Sequence, residues 1–143
     1  MEKLNITFKH FIGINGEAIL IRKVVFIDEQ QYIVDIDEND KTCLHFVEYL
    51  NNIPVGTSRV LKCKENSLKL GRFAILKEYR GHALGTKLLN EVEKYAIENN
   101  FDYIYLDAQF DKKEFYFKSG YKSLNLPLFL DENYPHIHLY KKL

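Results

Sequence analysis

The stretch LGRFAILKEYRGHALGTKLLNEVEKYAIENN, residues 70–100, changes from one kind of secondary structure to another. Its first part, up to Leu76, is typical of a strand, whereas apolar residues at helical spacing from Leu84 onward predict an amphipathic helix. Gly81 lies in the turn between them, and Gly85 lies in the first helical turn, where glycine costs roughly 1 kcal/mol relative to alanine. We therefore expect the start of this helix to need exposed backbone.

Small residues at the start of a helix predict an anion site, because the first N–H groups are unpaired and carry partial positive charge. The P-loop pattern GxxxxGK[ST] does not fit, since Gly81 and Gly85 enclose only three residues and Thr86 precedes Lys87. The GxGxxG spacing of a dinucleotide fingerprint is absent as well. The turn therefore calls for a different phosphate motif.

The rest of the chain predicts strands and helices arranged around one sheet. Periodicity and turn residues predict strands at 4–11, 43–50, 53–63, 68–76, 103–108 and 136–142, and helices at 17–30, 84–98 and 112–120. Residues 35–41 are acidic and predict a loop. This order indicates a single α+β or mixed α/β domain over residues 1–143.

Composition narrows the class of function. Twenty basic and twenty acidic residues cancel, so no overall field favours nucleic acid or an anionic membrane. No apolar run approaches the ~18 residues of a spanning helix, and we expect a cytoplasmic protein. Two histidines at 136 and 138 are too few to predict a metal site. The sequence is compatible with a homodimer.

The segment RGHALG, residues 80–85, resembles the acetyl-CoA loop of the GNAT superfamily of N-acetyltransferases. That loop has Gln or Arg, two residues, Gly, one residue, then Gly or Ala, and these positions are Arg80, Ala83 and Gly85 here. Ala83 and Lys77 depart from the usual glycine and proline. The segment EFYFKSGY, residues 114–121, resembles the family's second signature, and the whole chain looks like the ElaA/YjcF-like branch.

The resemblance implies a fold and a cosubstrate, acetyl-CoA, with no metal. Its fold is a mostly antiparallel mixed sheet of about six or seven strands with about four helices, in which two central parallel strands part to admit the pantetheine arm. The strands would be residues 68–76 and 103–108. Backbone at Phe73, Ala74 and Ile75 would bind the arm. The diphosphate would bind the turn formed by Arg80, Gly81, His82, Ala83, Leu84, Gly85 and Thr86.

The resemblance also implies direct attack of a primary amine on the thioester. Tyr116 would protonate the departing thiolate, and it also belongs to the cofactor pocket. An N–H near Ile75 would stabilise the developing oxyanion. Glu29 and His136 are candidates for the base, although Glu29 also fits a solvated carboxylate at the end of a helix. Arg80 fits either a phosphate contact or a solvated side chain.

Two readings of function follow. The first is an N-acetyltransferase acting on a small-molecule or peptide amine, and the second is a catalytically degenerate domain that binds acyl-CoA as a regulatory module. The acceptor is not specified by the sequence, because acceptor pockets are built by variable loops.

Overall fold

One mixed β-sheet runs through the computed structural model, which describes residues 4–143. Its strand order is β1-β2-β3-β4-β5-β8-β6, with β7 pairing on β8, and only β4 and β5 are parallel. The strands are β1 Ile6–Ile12, β2 Leu44–Leu50, β3 Ile53–Cys63, β4 Ser67–Ile75, β5 Tyr103–Gln109, β6 Lys122–Ser123, β7 Phe129–Asp131 and β8 Tyr134–Lys142. The predicted fold class is confirmed, while residues 1–3 of the predicted domain lie outside the described residues.

Within residues 4–143 three α-helices flank the sheet: α1 Gly16–Arg22, α2 Leu84–Glu98 and α3 Lys113–Lys118. The helix predicted at 17–30 is divided, because α1 continues as a π-helical segment over Lys23–Glu29. There the Gln30 amide donates to the Val25 carbonyl, five residues back. The strand number exceeds the predicted six or seven because β6 and β7 have only two and three residues, too few to show an alternating pattern.

The two faces of the sheet carry separate apolar clusters. Helix α2 packs Leu84, Leu88, Leu89, Val92 and Ala96 onto one face, as the helical spacing predicts. On the other face, α1 and the π-helical segment pack Ala18, Ile21, Val25 and Phe26 onto β2 to β4. Helix α1 packs mainly against β2, β3 and β4. Polar side chains of β5 and β8, among them Asp107 and His136, line a groove beyond it.

A β-bulge explains why β4 leaves β5. The parallel ladder pairs Ser67 with Tyr103 and ends at Leu70 and Leu106. The antiparallel register with β3 then shifts by one residue, and Arg72 adopts a left-handed φ of 48°. A bulge of this kind bends its strand and breaks the pairing. The resulting gap confirms the expected parting of the central parallel strands.

The start of α2 contains a strained alanine. Ala83 precedes the helix with φ 61° and ψ 15°, a left-handed conformation that costs about 1 kcal/mol for a residue with a Cβ. We expect Ala83→Gly to raise the free energy of unfolding in urea by about 0.5–1 kcal/mol, since relief of strain exceeds the added entropy of the unfolded chain. As a control, Ala96→Gly inside α2 should destabilise. If both variants unfold more readily than the wild type, the backbone of Ala83 is not strained.

Within residues 4–143, helices that combine the length and the apolar character needed to cross a bilayer are absent.

Candidate active site

A cleft of about 650 Å³ opens where β4 and β5 part. One end reaches the turn before α2, and the other reaches the polar face of β5, β7 and β8. Eleven of the residues predicted to form the site line it: Phe73, Ala74, Ile75, Arg80, Gly81, Ala83, Leu84, Gly85, Thr86, Tyr116 and His136. Glu29 and His82 are not among the lining residues.

The first turn of α2 has no side-chain cap. Ala83 at the N-cap position offers no acceptor, unlike Asn15, whose side chain accepts from the Ala18 amide at the start of α1. The amides of Leu84, Gly85 and Thr86 therefore have no helical partner, and all three residues line the cleft. This turn suits an anion bound through backbone N–H groups.

Gly85 lies close against an aromatic neighbour. A Cβ at this position would lie 3.3 Å from Cζ of Phe115 and 3.7 Å from Phe73. The Phe115 ring is 5.7 Å from the Phe73 ring and 5.0 Å from the Tyr116 ring, centroid to centroid. The glycine thus lets α3 approach α2 closely and form one wall of the cleft.

Two backbone amides of β4 face the gap. Leu76 donates its N–H to the Val55 carbonyl of β3. Because N–H directions alternate along a strand, Ala74 also points toward β3, whereas Phe73 and Ile75 point toward the gap. Both lie beyond the last residue of the β4–β5 ladder. They are available as donors to an extended ligand.

Arg80 and Glu29 form a two-pronged ion pair. The Arg80 guanidinium donates to the two carboxylate oxygens of Glu29 at 2.6 and 2.8 Å, and its Nε donates to the Ile75 carbonyl at 2.9 Å. The hydrogen bonds from Arg80 lower the pKa of Glu29. Glu29 is therefore ionised and engaged, so it is a weak base. Lys112 also lines the cleft, and among residues 4–143 it has no carboxylate partner.

Tyr116 lies deep in the cleft with 8% of its surface exposed. Its ring packs edge-on against Phe73, Phe115 and Tyr121. Burial raises the pKa of its hydroxyl, so the phenol keeps its proton at neutral pH. The hydroxyl makes no hydrogen bond to any described residue, which leaves it free to donate to a bound group.

His136 and His138 point to the same face of β8 but have different partners. The His136 Nδ1 lies 2.8 Å from the Tyr134 carbonyl, an acceptor, so in the neutral ring Nδ1 carries the proton and Nε2 has the lone pair. The His138 Nδ1 is 2.5 Å from Asp107, which also pairs with Lys69. Phe129 stacks on both rings. Of the two histidines, His136 lines the cleft.

A buried ion cluster lies beside the β4 bulge. Arg22 is fully buried and donates to Asp35 and Asp40, and Asp40 also accepts from Arg59 at 2.9 Å. Burial alone would raise the pKa of Asp40, but the hydrogen bonds from Arg22 and other donors outweigh it and hold that pKa well below its usual range. The cluster therefore stays ionised.

The same cluster fixes the bulge. Arg72 donates through Nε to the Asp35 carbonyl at 3.0 Å and contacts Asp37, whose carboxylate is also bound by Arg59. The segment 35–41, predicted to be a loop, is thus fastened to β4 at the point where β4 leaves β5. Sequence reasoning missed this, because nothing local marks a partner so far along the chain.

Metal-ligating residue types also meet in this cluster. Asp40, Cys43 and His45 are buried within 4.8 Å of one another. However, Nη1 of Arg22 lies 2.7 Å from Asp40 and 3.4 Å from His45, so a guanidinium already lies against both candidate ligands. The arrangement is an ion cluster rather than a suitable cation site.

Comparison with known proteins agrees with this geometry. The family model described as Acetyltransferase (GNAT) family matches residues 17–121. The uncharacterized N-acetyltransferase YjcF of Bacillus subtilis is 33% identical over 127 residues, covering 87% of this chain and 90% of YjcF. Escherichia coli ElaA has a TM-score of 0.84 at 23% identity, covering 96% of this chain and 99% of ElaA.

A third relative shares the same architecture. An acyl-CoA N-acyltransferase from Pseudomonas aeruginosa has a TM-score of 0.83 at 23% identity, with 97% and 99% of the two chains covered. The resemblance to the ElaA/YjcF-like branch is confirmed.

Proposed function

The chain belongs to the acetyltransferase (GNAT) family, and we propose that it transfers the acetyl group of acetyl-CoA to a primary amine by direct attack in a ternary complex. The observation that carries the proposal is the cleft between β4 and β5, which joins an uncapped helix start to an open polar groove. Acetyl-CoA lying in that gap would have its diphosphate at the start of α2 and its acetyl group near the groove that admits the amine. The sequence predicts the same activity.

The residues present fit coenzyme A. The amides of residues 81–86 would hold its diphosphate, and the Phe73 and Ile75 amides would pair with its pantetheine arm. Lys112, which forms no ion pair within residues 4–143, adds a positive charge to the cleft lining near Glu29 and Arg80. Arg80 would hold the turn in place rather than bind the diphosphate, because its guanidinium already contacts Glu29 and the Ile75 carbonyl. Bound in this way, the thioester supplies an activated acetyl group.

His136 is our candidate for the base. An alkyl ammonium must lose a proton before it can attack, and His136 lines the cleft on the groove side. Its Nδ1 is engaged by the Tyr134 carbonyl, so Nε2 would be the nitrogen that takes the proton. Glu29 is less suited, since Arg80 lowers its pKa. An amide of β4, at Phe73 or Ile75, would stabilise the oxyanion as the thioester carbonyl is attacked.

Tyr116 is our candidate for the acid. As the carbon–sulfur bond breaks, the thiolate needs a proton or a strong hydrogen bond. Burial raises the pKa of Tyr116, so its hydroxyl is protonated whenever the thioester is bound. The hydroxyl has no other partner among the described residues to compete for that proton.

Release of free thiol tests the proposed function. The protein is incubated with acetyl-CoA and a panel of primary amines, and thiol is followed with a chromogenic disulfide. We expect release that depends on both enzyme and amine, with an equal amount of N-acetylated amine by mass spectrometry. Coenzyme A binding without turnover across the panel would instead favour an acyl-CoA-binding module.

A further inference from the structure

The groove end of the cleft carries one carboxylate that lacks a counter-charge. Asp131, at the end of β7, lines the cleft, and no cation among residues 4–143 pairs with it. By contrast, the nearby cations are engaged: Lys69 pairs with Asp107, and Arg72 pairs with Asp35 and Asp37. The groove therefore presents a net negative charge at Asp131.

Aromatic rings accompany this carboxylate. The Tyr32 ring lines the cleft and lies 5.6 Å from the Tyr134 ring. Tyr134 is the register partner of Asp131 across β7 and β8. Burial raises the pKa of Tyr32 to about 12, and the negative charge of Asp131 adds to the rise. A carboxylate beside neutral aromatic faces is a combination that attracts ammonium groups.

Hydrogen bonds fix the positions of Tyr32 and of the turn that carries Asp131. Glu132, next to Asp131, accepts hydrogen bonds from the amides of Ile33 and Val34 and so ties segment 30–41 to the turn between β7 and β8. Tyr32 in turn accepts a 2.6 Å hydrogen bond from Gln109 of β5. Two separate segments therefore hold Tyr32 and Asp131 on the same side of the cleft.

We propose that the acceptor is an amine with a second, distal ammonium group, which Asp131 binds beside the ring of Tyr32. This proposal rests on the proposed function and specifies its substrate class. Phe129 pairs with His136, and Asp131 follows Phe129 on the same face of β7 after a rise of roughly 7 Å along the strand. A four-carbon diamine spans about that distance, so one amine would reach His136 while the other meets Asp131.

The test compares three acceptors that each have four carbons: 1,4-diaminobutane with a cationic tail, butylamine with a neutral tail, and 4-aminobutyrate with an anionic tail. We expect kcat/KM to be about five- to tenfold higher for the diamine than for butylamine, and lowest for 4-aminobutyrate. The preference should appear mainly in KM and should weaken in high salt.

Asp131→Asn should remove the preference for the diamine while leaving butylamine turnover and coenzyme A affinity unchanged. Asp111→Asn, an exposed aspartate outside the cleft lining, is the control and should keep the preference. Equal kcat/KM for all three acceptors, a preference for 4-aminobutyrate, or a preference that survives Asp131→Asn would overturn the proposal.

Binding separates this proposal from the proposed function. Calorimetric titration of 1,4-diaminobutane into coenzyme A-saturated protein needs no turnover, and Asp131→Asn should weaken the affinity by a similar factor. If no amine releases thiol yet this binding difference is found, the transferase activity fails and the cation site stands. If thiol is released without any effect of Asp131→Asn on either readout, the cation site fails alone.

Discussion

The free energy of unfolding is expected to fall by about 3 kcal/mol between pH 5.5 and pH 8.5, and Glu48→Gln is expected to abolish most of that fall. Glu48 is fully buried in β2, and neither carboxylate oxygen has a hydrogen-bond partner among the described residues. Burial raises its pKa to about 8, with only partial compensation from Lys87. The folded protein therefore holds this proton over a range where the unfolded chain has lost it.

The sign follows from proton binding. A carboxyl whose pKa is raised on folding contributes most below the unfolded pKa, near 4.5, and that contribution is lost as pH rises toward 8. The contributions of Asp37 and Asp40 have the opposite sign, because their pKa values are lowered, but they are complete by about pH 5. Between pH 5.5 and 8.5 the difference between the wild type and Glu48→Gln therefore reports on Glu48 itself.

Urea unfolding at several pH values measures this effect. Glu48→Gln keeps the shape of the neutral acid and cannot ionise, whereas Glu98→Gln changes an exposed glutamate of α2 and serves as the matched control. The control should follow the wild-type pH dependence. A wild-type protein equally stable at both ends of the range would mean that the carboxylate of Glu48 is solvated or paired when ionised.

The second large effect concerns His136. We expect His136→Asn to lower kcat by about 10²-fold or more, the typical contribution of a general base. The asparagine amide can still donate to the Tyr134 carbonyl, as Nδ1 does now, but it lacks the Nε2 lone pair. Folding and coenzyme A affinity should therefore be retained while proton removal is lost.

The choice of acceptor distinguishes a catalytic role of His136 from a structural one. A weakly basic amine such as methoxyamine is already neutral at the assay pH, so the deficit of His136→Asn should shrink sharply with this acceptor. His138→Asn, two residues along β8, is the matched control and should change kcat only slightly. An equal deficit with basic and weakly basic amines would show that His136 acts through packing.

Local patterns predict much of this fold. The hairpin of β2 and β3 turns at Asn51 and Asn52, both with positive φ, as asparagine pairs in tight turns do. The start of α2 and its apolar stripe are equally visible in the sequence. The short helix α3 ends before Gly120, whose φ of 93° suits glycine. Each of these signals depends on residues a few positions apart.

Features built from distant residues are the ones that the sequence does not reveal. Arg22 lies on the predicted first helix, where a charged residue is normally solvated, yet it is fully buried against Asp35 and Asp40. The pairing requires segment 30–41 to fold back over the sheet, which no local spacing specifies. The burial of Glu48 could not be predicted for a related reason. Both faces of β2 are covered, so the alternation of side chains along the strand does not distinguish buried from exposed positions.

The candidate site likewise contains residues that local motifs predict and residues that they do not. The glycine turn, Tyr116 and His136 are found from motifs, and the structure brings them to one cleft. The bulge at Arg72 that opens this cleft has no motif of its own, because it depends on the register shift against β3 and on the hydrogen bond from Arg72 to the distant Asp35 carbonyl. Asp131 comes from a three-residue strand that periodicity cannot detect.

The most direct test of the central claim is a titration of ¹⁵N-labelled protein with coenzyme A, followed by the amide resonances. Saturable shifts are expected at residues 81–86 and at Phe73 and Ile75, with little change at the Asn15 cap of α1. Absence of binding, or saturable shifts confined to residues away from the β4–β5 gap and the turn before α2, would contradict the account.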